Sequence, residues 1–251
     1  MVNENEIVFI TTSLYTKWLK YQQNILRTNF PSSDILVVDG RSGWPRCWFK
    51  WIDAVTKTDK KYYVHIDEDF FLTSKTELMR AISKMERDNI GLYGCADGYN
   101  KYRRGNPIAL NSFLMIGKVE YLRNIKDLKS IGYSHRDGWV NTLGIKMREE
   151  HKRDFDYKFE IMGGSNFDIE YEAYYAFFWE LKDQGCKFEY MYPYFDDRFK
   201  SINPRLEENS DDIGIHMWYT RTCDSDMDVF GIPNNRRYEL VEEYLINSGI
   251  I

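Results

Sequence analysis

The chain reads as an α/β protein built on a Rossmann-like, mostly parallel central sheet flanked by helices, followed by a mixed half. Three observations predict this. Short apolar runs alternate with helical stretches through residues 1–95 in the order β-α-β-α-β-α-β, and such alternation favours parallel strands joined by crossover helices. Three of these runs end in polar side chains: Thr11, Thr12 and Ser13 after the first, Asp39 after the second, Asp67 and Asp69 after the third. In open α/β sheets ligands bind at the carboxyl ends of the strands. Finally, no internal repeat, low-complexity tract or Pro/Gly/Ser-rich linker divides the chain, so 1–251 reads as one domain with a regular half, 1–95, and a less regular half, 96–251.

The elements follow in order. Ile7–Thr12 is an apolar run closed by small hydroxyl residues, a buried-strand signal. Trp18, Leu19, Gln22, Ile25 and Leu26 recur near helical spacing over Thr16–Thr28, and Pro31-Ser32-Ser33 ends that helix. Ile35–Val38 is a second strand, stopped by the turn pair Asp39-Gly40. Pro45 suits the first position of a helix running to Thr56. Tyr62–Ile66, Ser74–Arg87 with its Leu78, Ile82 and Met85 stripe, and Ile90–Cys95 complete the first half as strand, helix and strand. The second half predicts a strand at Ala109–Ile116, helices at Val119–Leu128 and Val140–Glu150, and a loop at Gly163-Gly164-Ser165-Asn166. A long helix at Asp168–Gln184 is capped beyond its end by Gly185. A strand at Phe188–Tyr192, a short strand or extended loop at Gly214–Trp218 and a final helix at Tyr238–Asn247 close the chain.

Composition excludes several classes. The chain has 251 residues with 34 Lys and Arg against 39 Asp and Glu, a net charge of −5. A modest acidic excess does not suit a protein that lives on nucleic-acid phosphates or an anionic membrane. Cys47, Cys95, Cys186 and Cys223 form no CxxC pair, which argues against a zinc ribbon or a disulfide scaffold. No stretch approaches a transmembrane span, and the acidic Met-Val-Asn-Glu-Asn-Glu start is no signal peptide. A soluble, cytoplasmic protein is the expectation. Aromatic residues make up 16% of the chain, with 19 Tyr, 15 Phe and 7 Trp. Aromatics beyond the needs of a core often line clefts for planar or carbohydrate ligands.

The sharpest feature is Asp67-Glu68-Asp69, between Tyr62–Ile66 and Phe70-Phe71-Leu72. Carboxylates two residues apart on an extended chain point to the same side. Such an oxygen site prefers a hard divalent cation, Mn²⁺ or Mg²⁺, and a cation there can bridge the phosphates of a nucleotide ligand. Uncompensated carboxylates between apolar neighbours would be costly to bury without a cation or donors.

With this strand–Asp-x-Asp–apolar pattern after a β-α-β-α start, the chain resembles the GT-A class of nucleotide-sugar-dependent glycosyltransferases, in particular the small single-domain type of bacteria and large DNA viruses. The resemblance covers most of the chain in order of elements and is specific at Thr11–Ser13, Asp39, Asp67–Asp69, Gly163–Glu172 and His216. It implies a GT-A-like fold with 1–95 as the nucleotide-binding half and 96–251 as the acceptor-binding half. It implies that Thr11, Thr12 and Asp39 contact the nucleoside, with Asp39 accepting the N3–H of uracil and so favouring a UDP-sugar. It also implies that His216 joins Asp67 and Asp69 as a metal ligand. His65 lies deeper in its strand and reads as structural or at most as a support behind the metal ligands; His135 and His151 read as loop or surface residues.

A diphosphate wants fixed positive charge. Arg41 and Arg46 follow Asp39, Lys50 lies one turn on, and Arg221 lies near the C-terminus. On the acceptor side, inversion of configuration needs a carboxylate as general base. The segment Gly163–Glu172 resembles the family's glycine-pair loop followed by an acid at a helix start. It offers Glu170 and Glu172 ahead of Asp168, which is the natural N-cap. The acids alternate here instead of standing as an adjacent Glu-Asp pair, and retention of configuration would need no such base. The loop aromatics Tyr99, Tyr102, Tyr194 and Trp218 are candidates for stacking on a glycan acceptor, whereas Trp44, Trp48 and Trp51 read as helix packing.

The alternatives are weaker. A nucleotidyltransferase making nucleotide sugars would carry a glycine-rich loop where Thr11-Thr12-Ser13-Leu14-Tyr15 has none, and no GxxxxGK[ST] marks a P-loop enzyme. A metal-dependent phosphoesterase needs more ligands than four histidines readily supply. A carbohydrate-binding protein with a degenerate site explains the aromatics but not the acidic tripeptide in its strand context.

Overall fold

A computed structural model of the chain describes residues 2–42, 46–97, 109–125 and 175–251. The first strand, β1 (Ile7–Ser13), sets the frame. Its side chains alternate between two apolar clusters, Ile7 and Phe9 in one, Val8 and Ile10 in the other, as the period of a strand requires. Helices bury both faces. The Ile7 face is covered by α1 (Lys17–Asn29) through Trp18, Ile25 and Leu26, and by α3 (Lys75–Arg87) through Leu78, Ile82 and Met85. The Val8 face is covered by α2 (Arg46–Thr56) through Trp48, Trp51, Ile52 and Val55. Trp48 and Trp51 are helix packing, as expected. Ser74 caps α3, accepting from the Glu77 amide at 3.2 Å.

The main sheet adds β2 (Asp34–Asp39), β3 (Tyr62–Asp67), β5 (Leu92–Ala96), β6 (Leu110–Lys118) and β7 (Phe188–Tyr190), in the order β2-β1-β3-β6-β5-β7. β1 runs parallel to β2 and β3, and β5 runs parallel to β7. β6 alone is reversed, antiparallel to β3 and β5. The predicted α/β class and mostly parallel sheet are therefore observed, with one reversed strand that apolar patterning could not orient. Two helices, α4 (Val119–Arg123) and α5 (Tyr175–Asp183), add Val119, Leu122, Phe177, Phe178 and Leu181 to the Val8 face. Gly185, at φ +77°, follows α5 as the predicted cap.

A second, antiparallel sheet was not legible. It has the order β4-β10-β9-β8, from β4 (Phe70–Leu72), β8 (Tyr192–Asp196), β9 (Ser201–Arg205) and β10 (Gly214–His216). The single strand expected at Phe188–Tyr192 divides between the two sheets. Met191 is the joint, fully buried, with its amide on the Gly94 carbonyl at 2.9 Å. Ser201-Ile202-Asn203-Pro204-Arg205 lacks an apolar alternation and contains a proline, so its strand is set by its partners β8 and β10. A two-residue pairing of β11 (Asp228–Val229) with β12 (Ile232–Pro233) leads into α6 (Asn234–Asn247), which starts four residues earlier than the apolar pattern suggested.

Several expectations fall outside the described residues. They are the helix at Val140–Glu150, the Gly163–Asn166 loop, the first part of the helix from Asp168, the candidate bases Asp168, Glu170 and Glu172, His135, His151, Trp44, Tyr99 and Tyr102.

Candidate active site

The acidic tripeptide is the turn between β3 and β4, so it joins the main sheet to the small one. Register delivers the third group. β10 pairs antiparallel with β4, and His216 stands opposite Phe70, the residue after Asp69. One ligand atom each from Asp67, Asp69 and His216 lie within 4.8 Å of one another. His216 Nε2 is 3.5 Å from Asp69 Oδ1, and the imidazole stacks on Phe113 of β6 at 4.2 Å between centroids and 11° between planes.

Hydroxyls support the carboxylates. Ser112 Oγ donates to Asp67 Oδ2 at 3.4 Å, and the Thr220 hydroxyl donates to Asp69 Oδ2. Beneath the turn, the buried Gln22 of α1 donates to the carbonyls of Asp67 and Phe70, the latter at 3.1 Å. Glu68 holds the turn from the other side. Its Oε2 accepts from Ser13 Oγ at 2.5 Å and from the Leu14 amide at 3.1 Å, tying the turn to the β1–α1 connection.

Burial, and then the Asp69 charge beside it, push the Asp67 pKa above the ordinary carboxylate range. Burial also opposes ionisation of Asp69, but the adjoining His216 and the Thr220 hydroxyl outweigh it and leave Asp69 below the ordinary carboxylate range. Two carboxylates held this close, Asp69 buried and Asp67 half-buried, make a site that a cation relieves. Two carboxylates and an imidazole also form a donor set that fits Mn²⁺ or Mg²⁺.

His65 is structural, as its place in the strand suggested. Its Nδ1 is 2.9 Å from the Ser112 carbonyl, which can only accept, so Nδ1 carries the proton. Nε2 is then the acceptor for the Thr12 hydroxyl at 3.1 Å. Burial lowers the His65 pKa to about 4, so the ring stays neutral at pH 7.

A cavity of about 640 Å³ opens over this turn, lined by Thr12, Ser13, Gly40, Asp67, Asp69 and the segment 218–222, among others. The structure brings Thr12 and Ser13 to this cavity together with the acidic turn. It does not bring Thr11, whose side chain is 0% exposed and donates to Gln22 Oε1 at 2.8 Å on the opposite side of the strand. Asp39 and Arg41, expected to meet the base and the phosphates separately, meet each other. Arg41 Nε and Nη2 donate to the two carboxylate oxygens at 2.9 and 3.0 Å. That hydrogen-bonded pairing holds the Asp39 pKa down at about 2. The Arg41 guanidinium also lies 4.8 Å over the Tyr15 ring. Arg46 is exposed at the start of α2 and is not among the cavity residues, whereas its neighbour Cys47 is. Lys50 reaches Ser42 Oγ at 3.3 Å. Arg221 lines the cavity.

Trp218 also lines the cavity, while Tyr194 sits on β8 with Arg205 stacked 3.6 Å over its ring. Sequence reasoning missed Gln22, Ser112, Phe113 and Thr220 as supports of the site. For Gln22 there was a signal: a polar residue in the buried stripe of α1 with Trp18 and Ile25 needs buried partners. Ser112 and Phe113 owe their roles to the pairing of β6, and Thr220 to the turn that follows β10, neither of which leaves a local pattern.

No family model matches the chain, and no curated protein matches it. Among the solved structures similar to it is the galactosyltransferase LgtC in complex with donor and acceptor sugar analogues. It is 10% identical with a TM-score of 0.46, over 96% of this chain and 99% of that one. Another is a glycosyltransferase involved in glycosylation of the major capsid of PBCV-1, 11% identical with a TM-score of 0.38, over 70% of this chain and 90% of that one. A third is the mannosyltransferase PcManGT from Pyrobaculum calidifontis in complex with GDP-Man and Mn²⁺. It is 14% identical with a TM-score of 0.37, over 49% of this chain and 48% of that one, so the match spans about half of that enzyme. The geometry of the site, independent of these likenesses, carries the functional reading.

Proposed function

We propose that the chain is a divalent-metal-dependent glycosyltransferase that moves a sugar from a nucleotide-sugar donor, with UDP-sugar favoured, to a glycan or other hydroxyl acceptor. The observation that carries this reading is the convergence of Asp67, Asp69 and His216 within 4.8 Å beside the cavity at the carboxyl end of β3. Asp67, Asp69 and His216 would hold Mn²⁺ or Mg²⁺, which when bound supplies charge neutralisation for a diphosphate leaving group.

The chain's own residues do the rest. Thr12 and Ser13 face the nucleoside from the end of β1. Asp39, a carboxylate at neutral pH, offers only acceptors, which suits the N3–H of uracil. Arg221 supplies a guanidinium toward the phosphates. Glu170, Glu172 or Asp168 serves as base on the acceptor hydroxyl if configuration inverts. In this reading 1–251 is one transferase domain, with 1–95 on the nucleotide side and 96–251 on the acceptor side, acting in the cytoplasm. Four buried free thiols support that compartment. No helix among the described residues is long and apolar enough to cross a membrane.

The test is calorimetry of UDP binding with and without Mn²⁺, in the wild-type chain and in Asp69→Ala. UDP binding that requires Mn²⁺ and is lost in Asp69→Ala is expected, with the variant still folded by circular dichroism. Unchanged UDP affinity in the variant removes the metal role, and binding of free glycans without any nucleotide marks a carbohydrate-binding protein instead.

A further inference from the structure

The segment 217–222 leaves β10 and lines the cavity from Trp218 to Thr222. Trp218 and Tyr219 both have positive φ, 55° and 60°. Two successive left-handed residues, neither a glycine, persist only where the surroundings over-determine them. Here the surroundings are three side chains from the first turns of α6. Arg237, 0% exposed, donates through Nη2 to the Met217 carbonyl at 2.5 Å. Tyr238 Oη donates to the Trp218 carbonyl at 3.0 Å. Asn234 Nδ2 donates to the Tyr219 carbonyl at 2.9 Å and to Thr222 Oγ1 at 3.0 Å.

Three successive carbonyls are therefore each held by a different residue of one helix. The clamp is itself braced. Arg237 donates through Nη1 to Asn234 Oδ1 at 2.7 Å, through Nε to the Phe199 carbonyl at 2.9 Å, and through Nη2 to the Lys200 carbonyl at 3.0 Å. All its acceptors are neutral oxygens, so this buried cation shapes backbone and neutralises no carboxylate through them. Tyr238 Oη also lies 3.3 Å from Thr220 Oγ1, the hydroxyl that donates to Asp69.

We infer that α6 is the positioning element of the ligand cavity: Asn234, Arg237 and Tyr238 fix the left-handed turn that brings Thr220 to Asp69 and sets Arg221 at the cavity before any ligand arrives. The inference rests on the reading of the cavity as a nucleoside-diphosphate site. A cation carried on a backbone fixed in advance loses less conformational freedom on binding than one on a free loop. Asn234 and Arg237 act through the segment they hold, and Tyr238 holds it too while its Oη also lies 3.5 Å from Asp69 Oδ2.

The experiment measures the affinity of UDP with Mn²⁺, and of Mn²⁺ alone, in two mild variants. Tyr238→Phe removes one hydroxyl at constant shape. Asn234→Asp keeps the acceptor for Arg237 and removes the donor to Tyr219. Each is also combined with Arg221→Gln, and thermal melts confirm folding. Each variant is expected to weaken UDP·Mn²⁺ binding about 5- to 10-fold, as loss of one buried hydrogen bond does. Affinity for Mn²⁺ alone is expected to change by less than about 3-fold in Asn234→Asp, because the Asn234 side chain bonds to Tyr219, Thr222 and Arg237 and to none of Asp67, Asp69 and His216. In the Arg221→Gln background the loss should largely vanish, since both changes act on one interaction.

Equal weakening of Mn²⁺ and UDP binding in Asn234→Asp, or effects additive with Arg221→Gln in either variant, would show a merely structural role and overturn the inference. A wild-type chain that binds no nucleotide with Mn²⁺ defeats the functional reading, and the inference falls with it. A wild-type chain that binds UDP while both variants bind equally well defeats the inference alone.

Discussion

Gln22→Leu tests the idea that the acidic turn is held from below. The side chain is buried, and it serves three partners: the Thr11 hydroxyl and the carbonyls of Asp67 and Phe70. Leucine fills a similar volume but leaves all three unpaired. Each orphaned buried group costs about 1–3 kcal/mol, and the added apolar surface returns about 1–2 kcal/mol. The net loss should be about 3 kcal/mol, which for a chain of this size lowers Tm by about 6–12 °C. Thr11→Val combined with Gln22→Leu should recover about 1 kcal/mol of that, because the stranded hydroxyl is gone. The two carbonyls flank the turn that carries Asp67 and Asp69, so Mn²⁺ affinity should also fall about tenfold. Urea denaturation followed by circular dichroism gives the stability, and Mn²⁺ titration gives the affinity. A loss under about 1 kcal/mol, or a double variant no more stable than Gln22→Leu, would refute the reasoning.

Other consequences concern pH and packing. Burial, then the hydrogen bond to Glu86, raise the Tyr62 pKa to about 12, and burial holds the Tyr63 and Tyr238 phenols well above their ordinary value. A folded pKa above the unfolded value of about 10 gives stability that is fully present below pH 10 and lost as pH rises through 12. Phenolate absorbance should therefore develop in two stages, the second together with loss of ellipticity; complete ionisation near pH 10 with intact ellipticity contradicts this. Gly214→Ala places a methyl 2.3 Å from the Phe70 ring and 2.6 Å from the Phe71 carbonyl, the latter backbone that cannot step aside. The β4–β10 pairing should open, costing about 2–4 kcal/mol and displacing His216 two residues on. A melt within about 2 °C of wild type together with unchanged Mn²⁺ affinity would count against it.

Much of the first half could be read directly from residue order. The apolar run Ile7–Thr12 announced a buried strand, and helical spacing found the stripe of α1 with Trp18, Gln22, Ile25 and Leu26. Asp67 and Asp69 were legible because their spacing and apolar flanks are local. The small sheet was illegible for the opposite reason. Phe70–Leu72 is too short to announce a strand, Gly214–Trp218 reads equally as a short strand or an extended loop, and Ser201–Arg205 has the wrong composition for one. Each becomes a strand only when its backbone groups find partners far along the chain.

The same division applies to the site. Local order supplies the chemical types, two carboxylates after an apolar strand and an imidazole among apolar residues. Their meeting depends on His216 pairing opposite Phe70 and on Phe113 stacking beneath the ring. Residue order equally placed Thr11 beside Thr12 and Asp39 near Arg41. Folding then turned Thr11 toward Gln22 and locked Arg41 onto Asp39. A side chain's partner is chosen by whatever packs against its face of the strand, and that neighbour is rarely close in sequence.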